Sequence, residues 1–515
     1  MVNVSDIVGR PQDNSASSKP GDSLAQVQSV NQLRDVSPGE WAFEALRSLV
    51  ERYGCIEGYP DQTFRGNRAL TRYEFAAGLN ACLNSVERLI ANSQSVLRED
   101  LATLQRLVQE FEAELAALGA RLDNLEGRVA FLEDNQFSTT TKLQGEVAFT
   151  IADVFGEDVD GETIFTDRVR LQLATSFTGR DVLFTRLTAG NFGNAFQDEL
   201  GGTFEGRFAF DGEENNTVTI DRVHYYFPIG RDLRVFAMAN LGGHHFYADT
   251  FNAGLDVGGG ANGSLSTFGE RSAIYRQGLS GPGLAFSYDI VDDVITLQGG
   301  YLARGANLPE AEGGLFNGSY SALGQLIIRP TDKLKFGLTY LNTYEINSNT
   351  GFDRPFSFGN TGTLLGNLRL DQLGVGNTDV LANSYGIQGQ FDVAPNFSIR
   401  AWGAFIDASL LELNGDAEIW TYALVLAFPD LGKEGSLGAI TVGAEPYLGG
   451  IEVPGPNPAF ENDIPLHIEV SYRYPINDNI FITPGVIILT SPNQGDNPDF
   501  DSTAVIGAIR TTFVF

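Results

Sequence analysis

The 515-residue sequence has few cysteines, few basic residues and no long apolar run, and each shortage excludes a class of protein. Its two cysteines, Cys55 and Cys82, are too few for a disulfide framework or a clustered zinc motif. Lysine and arginine number 34 against 65 acidic residues, and the resulting net charge of −31 argues against binding of nucleic acid or phosphate. The longest apolar runs, such as residues 422–428, stop well short of the roughly 18–20 residues that a membrane-spanning helix needs.

Glycine and aromatic residues are abundant instead. The chain has 59 Gly, 36 Phe and 17 Tyr, and its mean hydropathy is −0.08. This combination is typical of a β-barrel, in which an apolar outer face alternates with a polar lumen. Residues 1–24 contain neither the basic stretch nor the apolar core of a signal peptide, so for a protein that needs export we expect either a processed chain or a trimmed one whose Met1 is not native. Residues 1–30 are rich in Ser, Asn, Asp and Gln, and we expect them to be disordered.

Residues 31–85 alternate short helical patterns with turns. An apolar helical face begins near Trp41, and a turn rich in Gly and Pro follows within residues 54–64. Thr71, with Glu74 three residues later, forms a capping box that opens a second helix. The pattern predicts a small α-helical domain.

The order of these motifs resembles the S-layer homology domain. Its pattern has an aromatic residue before Ala, then Gly-x-Ile-x-Gly-Tyr-Pro-Asp-x-x-Phe, then Thr-Arg-x-Glu-Phe; this chain departs from it at Gln62 and Tyr73. The resemblance implies binding to a peptidoglycan-linked polysaccharide, with Arg72 as an anion contact. Alternatively, Arg72 and Asp61 only pair and cap within the fold. The residues that the resemblance assigns to cell-wall binding are Trp41, Gly58, Tyr59, Asp61, Thr71, Arg72 and Glu74.

Residues 86–136 carry the most regular pattern in the chain. Apolar residues recur at alternating steps of four and three from Leu97 to Leu132, which is the a/d seam of a coiled coil. Because each chain supplies one such helix, we expect its partners to be other copies of the chain; the alternative is one amphipathic helix packed on a globular core. The seam consists of Leu101, Leu104, Val108, Phe111, Leu115, Leu118, Leu122, Leu125, Val129 and Leu132.

From residue 140 to 515 the helical period gives way to alternation with period two. Short turns, such as 177–181 and 474–478, alternate with longer connections rich in Gly, Asn and Asp, such as 244–281. This alternation is typical of the short periplasmic turns and longer outer loops of outer-membrane barrels. A first count gives 17 strands, whereas bacterial barrels have an even number with both ends in the periplasm. Assigning 204–212 to an outer loop leaves 16 antiparallel strands.

The predicted fold class is therefore mainly β: a 16-stranded antiparallel transmembrane β-barrel, preceded by the small α-helical domain and a coiled coil. The seam alone would permit two copies, whereas the family resemblance described next favours a trimeric coiled coil. This order resembles the major outer-membrane porins of cyanobacteria, whose barrel is similar to that of carbohydrate-selective porins. The resemblance implies a homotrimer in the outer-membrane lipid, with the N-terminal domain and stalk in the periplasm. It also implies passage of small solutes, more often inorganic ions than sugars. The alternative is a structural tether to the cell wall whose barrel is plugged or nearly closed by loop 244–281.

Alternation along the predicted strands places several arginines on the lumen face. Arg168 and Arg170 share a face with Gln172, and the residues between them take the other face. Porin selectivity depends on charged groups of this kind; the alternative is that the arginines only pair with wall carboxylates or line wide mouths. The predicted pore-lining residues are Arg168, Arg170, Arg186, Arg222, Arg271 and Arg276, the last two on loop 244–281 opposite the acidic residues Asp249, Asp256 and Glu270.

We expect no metal site, no cofactor and no catalytic site. The pair His244-His245 lacks an accompanying carboxylate or cysteine spacing, and adjacent residues on a strand point to opposite faces. No recognisable Ser/His/Asp arrangement is present in the sequence, so we do not expect an enzyme. Aromatic residues near the short turns are expected to form the inner girdle of the barrel: Tyr225, Tyr226, Phe227, Tyr472, Tyr474 and Phe481.

Overall fold

The computed structural model describes part of the N-terminal region and most of the remainder of the chain. The described residues are 29–38, 43, 46–53, 62–64, 82, 85 and 140–515, the last range with gaps at 158, 160, 213–214, 279–280, 311, 348–354, 377, 456–457, 462 and 496–502. Two compact units divide the chain, one within residues 10–136 and one containing residues 137–515.

The described residues of the first unit include two short helical turns, Val30–Gln32 and Ser48–Arg52. Cys82 is disulfide-bonded, which suits an oxidising compartment such as the periplasm. None of the helices in the described ranges is long and apolar enough to cross a membrane. A small apolar core is formed by Val30, Leu33, Phe43, Leu46 and Val50. The predictions that lie outside the described residues concern the coiled-coil seam from Leu97 to Leu132 and the wall-binding residues Trp41, Gly58, Tyr59, Asp61, Thr71, Arg72 and Glu74.

The second unit contains a closed barrel of sixteen antiparallel strands, which confirms the predicted fold class. Each strand pairs with the next in sequence, and the last pairs with the first. The strands are β1 (Thr141–Phe155), β2 (Ile164–Thr175), β3 (Val182–Gly190), β4 (Thr219–Ile229), β5 (Leu233–Asn240), β6 (Gly283–Val291), β7 (Ile295–Ala303), β8 (Tyr320–Thr331), β9 (Leu334–Glu345), β10 (Val380–Ala394), β11 (Phe397–Leu410), β12 (Gly415–Pro429), β13 (Leu437–Glu452), β14 (Leu466–Asn477), β15 (Ile480–Thr490) and β16 (Ala504–Val514).

The barrel closes where β16 lies beside β1. Their register runs from Glu146 opposite Val514 to Phe155 opposite Val505. Beyond it, Gly145 and Phe515 exchange backbone hydrogen bonds of 2.6 and 3.0 Å. A side chain at position 145 would meet the Phe515 ring, which would have to shift to make room for it.

Short turns lie at one end of the barrel, the turn end, and loops that are longer, apart from loop 411–414, lie at the other, the loop end. The turns run from two residues (332–333) to seven (430–436). Residues 204–212, all of them described, form no strand, which confirms their assignment to a loop. The loops are L1 (156–163), L2 (191–218), L3 (241–282), L4 (304–319), L5 (346–379), L6 (411–414), L7 (453–465) and L8 (491–503).

Outward-facing aromatic rings form rows near both ends of the barrel. Tyr225 and Phe227 stack at the turn end with ring centroids 5.3 Å apart, and Tyr301 and Tyr320 stack at the loop end at 5.7 Å. Such rows are typical of the two membrane interfaces. Tyr226 was wrongly predicted to join this girdle: the alternation of β4 turns its side chain into the lumen, where it is buried.

The loop-end half of the lumen is packed like the interior of a soluble domain. Ile274 of L3 and Phe358 of L5 are fully buried, in one cluster with inward-facing Leu341 and Ile406 of the wall. L2 contributes to a second cluster, in which Phe208 is fully buried against wall residues of β1, β15 and β16. The loops therefore fold into the barrel and fill much of this half.

Candidate functional site in the barrel lumen

L3 crosses the lumen and contacts distant parts of the wall. Its Asp249 accepts hydrogen bonds from Lys335 Nζ of β9 at 2.7 and 2.8 Å. Farther along the loop, the carbonyl oxygen of Ala261 accepts one from Thr512 Oγ1 of β16 at 2.6 Å. Because β9 and β16 lie apart in the barrel order, a loop that reaches both spans the lumen. The residues that hold L3 thus govern how much of the lumen is open.

Arg168 and Arg170 of β2 hold the middle of L3. Both donate to the carbonyl oxygen of Gly259, and the distance from Arg168 Nη2 is 2.7 Å. Arg168 also forms an ion pair with Glu146 of β1 at 3.2 Å and is 2% exposed. Both arginines lie on the lumen face, where their donors point at the loop backbone and at a wall carboxylate. Their positive charge therefore lies next to L3, on the side of the loop that contacts β2.

A β-bulge gives Arg186 its acidic partner. Arg186 lies opposite Arg222, but the next pair is Leu187 with Ile220, so Asp221 is an extra residue in β4. A bulge of this kind re-aims a side chain, and here it directs the Asp221 carboxylate to Arg186, with Nη2 and Oδ2 2.6 Å apart. The charges of Arg186 and Asp221 therefore cancel locally. This agrees with the alternative interpretation, in which the arginines only pair with wall carboxylates.

Arg222 is enclosed by aromatic rings. Its guanidinium carbon lies 4.2 Å from the ring centroid of Phe246 and 4.9 Å from that of Phe184. Its Nε donates to His224 Nδ1 at 3.0 Å. Since Phe246 belongs to L3 and Phe184 to β3, Arg222 joins the beginning of the loop to the wall.

Arg271 and Arg276 pair with acidic residues of their own loop. Arg271 forms a bidentate ion pair with Asp256, at 2.7 and 2.8 Å, and both arginines contact Glu270 at 2.8 Å. The expectation that Asp256 and Glu270 would stand opposite these arginines was wrong, because the loop folds on itself. Burial raises the pKa of Asp256, but the Arg271 guanidinium outweighs it and holds that pKa below its usual value. Burial and the neighbouring Arg271 lower the pKa of Arg276 to about 10.

His244 and His245 lie in a short 3-10 turn, not in a strand as the sequence suggested. The His244 ring bonds to Tyr247 Oη at 2.6 Å and to the Ser321 hydroxyl, and burial lowers its pKa to about 3. Within the described residues, no group of three or more His, Cys, Asp or Glu side chains is arranged to hold a metal ion. The hydrogen-bond partners of His244 therefore give it a structural role.

Several wall residues that hold L3 were missed by the sequence reasoning. Arg400 of β11, Arg473 of β14 and Arg510 of β16 each donate to a backbone carbonyl of the loop, at 2.7, 2.6 and 2.7 Å. All three lie on inward faces of strands. The alternation argument that selected Arg168 would have found them had it been extended beyond β4.

The turn end of the lumen contains two neighbouring cavities. One of about 550 Å³ is lined by charged residues that include Arg329, Lys333, Lys335 and Asp392. The other, of about 360 Å³, shares Lys333 and Asp392 and is also lined by Arg400. Lys335 and Arg400 are also the residues that hold L3 at this level. Charged side chains of both signs therefore surround open space beside the inserted loop.

The sequence matches two protein-family models. Residues 98–515 match the carbohydrate-selective porin, OprB family. Residues 32–76 match the S-layer homology domain.

Similar proteins include an uncharacterized protein of Nostoc sp., which is 45% identical over 512 residues, covering 96% of this chain and 86% of the relative. The outer membrane protein SlpA of Thermus thermophilus is 41% identical over 109 residues, covering 20% of this chain and 12% of SlpA. Among solved structures, the OmpT loop L8 deletion mutant of Vibrio cholerae has a TM-score of 0.44 at 8% identity, covering 73% of this chain and 100% of that one.

Proposed function

This chain belongs to the OprB family of carbohydrate-selective porins, and on that premise we propose that this outer-membrane porin conducts small inorganic ions and anchors the membrane to the cell wall. The observation that supports ion conduction is the charged lining of the turn-end cavities beside L3, where Lys335 meets Asp249 at 2.7 Å. Rings of charged side chains select ions by electrostatic attraction and repulsion.

Selectivity in this proposal comes from the arginines predicted to line the pore, Arg168 and Arg170 above all. Arg168 and Arg170 place two positive charges on one face of β2. Glu146 pairs with Arg168, and Asp221, itself paired with Arg186, also interacts electrostatically with both. Charges on the exposed loops act less, because salt screens them beyond about 8–10 Å. The excess positive charge next to L3 favours anions in this part of the lumen, despite the net charge of −31 of the whole chain.

The experiment that tests conduction uses the full-length protein in planar bilayers and in liposomes. We expect stepwise currents in potassium chloride and little swelling of liposomes in isotonic glucose or maltose. Fast sugar entry with no ionic current would reject the proposal and favour a sugar channel.

Tethering is supported by the S-layer homology match at residues 32–76. Arginine offers a planar fork suited to carboxylate or phosphate groups on a polymer. Arg72→Ala is expected to weaken pull-down by cell-wall sacculi while conductance stays unchanged. Arg47→Ala is the matched control, because Arg47 is exposed and pairs with Glu51 of its own helix at 3.4 Å. Equal pull-down of the wild type, Arg72→Ala and a variant lacking 31–85 would reject tethering.

A homotrimer is the proposed assembly, held together by the coiled-coil seam. Replacing Leu115 and Leu118 by Asp would bury unpaired charges in that seam, which is costly. Cross-linking of the wild-type stalk should give trimers, and those of the double variant should be lost. A dimeric or monomeric wild-type stalk would contradict this assembly.

A mainly structural role with a nearly closed barrel is the second candidate. The observation that favours it is the packing of L2, L3 and L5 into the loop-end half of the lumen. The conduction experiment separates the two candidates, since a plugged barrel carries neither ions nor sugars. Pull-down by sacculi would persist in that case.

A further inference from the structure

Three outer loops converge on two glutamates of the barrel wall. L2, L3 and L5 each place backbone N–H groups against Glu445 of β13 or Glu469 of β14. Both carboxylates are buried, at 1% and 2% exposure. L8 joins the same cluster through Glu205 of L2, whose Oε2 accepts from the Asn493 backbone N–H at 2.7 Å.

Glu445 faces the lumen at a bulge in β13. Tyr422 pairs with Ala444 and Trp420 with Tyr447, so β13 holds one more residue than β12 between these pairs. Glu445 Oε1 accepts from the backbone N–H of Gly206 in L2 at 3.0 Å. Its Oε2 accepts from the backbone N–H of Gly362 in L5 at 2.8 Å. One carboxylate thus holds two loops.

Glu469 holds L3 in the same way. Its Oε1 accepts from the Leu265 backbone N–H at 3.0 Å, and its Oε2 accepts from that of Ser266 at 2.9 Å. The hydroxyl groups of Ser264 and Ser266 donate to it as well. The carboxylate therefore replaces the backbone partners that this part of L3 would have in a strand or helix.

Histidine and arginine complete the charge pattern of the cluster. His467 lies between the two glutamates, with Nδ1 2.7 Å from Glu445 Oε1 and Nε2 3.9 Å from Glu469 Oε2. Arg510 of β16 is the other cation that faces Glu469. Glu205 faces Glu445 from L2, and burial together with the Glu445 charge raises the pKa of Glu205 to about 8. Glu205 is consequently neutral near pH 7 and tolerates its acidic neighbour.

We propose that Glu445 and Glu469 are positioning residues that hold L2, L3 and L5 inside the lumen, and that their ionised carboxylates keep the channel in a low-conductance state. The proposal rests on the ion conduction proposed above. Glu445 and Glu469 act through the loops that they hold, and those loops occupy the lumen.

The chemistry of the cluster sets the direction of the effect. An ionised carboxylate only accepts hydrogen bonds, and each of these two faces several N–H and O–H donors. A protonated carboxyl group, or a glutamine amide in its place, has an O–H or N–H donor of its own. That donor would face the N–H and O–H donors of the loops. Buried donors that lose their acceptor are costly, and charge-assisted hydrogen bonds are the stronger ones. Neutralising the glutamates should therefore release the loops.

The test measures single-channel conductance of the full-length protein in planar bilayers for the wild type, Glu445→Gln, Glu469→Gln and the double variant. Glu418→Gln is the matched control, because Glu418 is an exposed glutamate on the neighbouring strand β12. We expect a several-fold rise in the double variant, smaller rises in the single variants, and wild-type conductance for Glu418→Gln. Conductance is counted per inserted channel, so a loss of folded protein does not imitate the effect.

A pH profile of the wild type keeps the proposal testable if the double variant does not insert. Stepwise acidification to about pH 2, well below the ordinary range of glutamate pKa values, should raise the wild-type conductance reversibly. The variants should show a smaller acid step, because part of their opening is already present at neutral pH. Unchanged conductance in the single variants together with no acid step, or a fall in conductance, would overturn the proposal. Absence of any wild-type current at either pH would instead overturn ion conduction.

Discussion

On the lumen face of β11, Ser398 and Arg400 lie beside open space at the turn end, whereas Ile406 and Leu410 are buried in an apolar cluster at the loop end. The same strand changes from polar to apolar along its length without any change in its alternation. Alternation with period two therefore predicts which side chains point inward. The position of a residue along the barrel axis decides whether its inward-facing side chain meets water or a packed core. The two ends of the lumen therefore differ: the turn end has charged walls and open space, and the loop end is filled by folded loops.

The largest effect is expected from breaking the packed end. Phe358 of L5 is fully buried, and Phe358→Ala should destabilise the loop by ~3–5 kcal/mol through lost contacts and a cavity. Hydrogen exchange of L5 amides should accelerate strongly, and channel conductance should rise. Phe316→Ala, at a phenylalanine that is 80% exposed in L4, is the control and should change neither. Unaltered L5 exchange in Phe358→Ala would show that the core does not hold this loop.

The second effect concerns Arg168 and Arg170, which hold the middle of L3. Changing both Arg168 and Arg170 to Gln removes the donors to Gly259 and leaves Glu146 without its ion-pair partner. Breaking a buried ion pair destabilises the fold by ~3–5 kcal/mol, and we expect about half of that loss here, because Glu146 is only partly buried. The reversal potential in a salt gradient should shift towards cation preference. Arg231→Gln, at an exposed turn residue, is the control, and an equal reversal potential in all three proteins would contradict a role for these arginines.

The third effect depends on pH and acts on the packed end. The folded-state pKa of Glu205 is about 8, above its usual 4.5, so its contribution to stability is complete below pH 4.5 and is lost as the pH rises to 8. The loss is at most about 1.4 kcal/mol per pH unit. Exchange of the Asn493 amide, corrected for intrinsic rates, should accelerate between about pH 5 and about pH 8. Glu205→Gln should flatten that profile, and an identical profile in both proteins would contradict the assignment.

The smallest effect is expected at the turn end. Lys335 is partly exposed, and its ion pair with Asp249 is worth about 0.5–1 kcal/mol. Lys335→Gln should shift the permeability ratio towards cations by roughly two- to five-fold, and Asp249→Asn should shift it towards anions. Lys433→Gln, in the turn 430–436, serves as the control. If Lys335→Gln and Lys433→Gln have the same ratio as the wild type, the turn-end charges do not act on permeant ions.

The sequence predicted the barrel in considerable detail. Hydrophobic alternation and the parity argument placed residues 204–212 in a loop, and alternation alone put Arg168, Arg170 and Arg222 on the inward face. These features depend only on period and count, which are local properties of the chain.

The partners of those residues could not be predicted. Arg168 contacts the carbonyl of Gly259, some ninety residues away, and the sequence does not determine the path of a glycine-rich loop. The bulge that directs Asp221 to Arg186 inserts one residue, which shifts the facing of the side chains without any pattern visible in composition. Long-range contacts and single-residue irregularities therefore formed the part that required a structure.

The pairing of β1 with β16, which closes the barrel, has a consequence for how the protein folds. Glu146 pairs with Val514, so the first strand finds its second neighbour only among the last residues of the barrel. Until then the growing sheet has two edges with unsatisfied N–H and C=O groups, and such edges invite pairing with other chains. Contacts this distant in sequence also form slowly, because the intervening chain must be ordered before they are made. Barrel completion is thus a late event in folding, and any factor that shields the β1 edge during synthesis and export would protect the protein from aggregation.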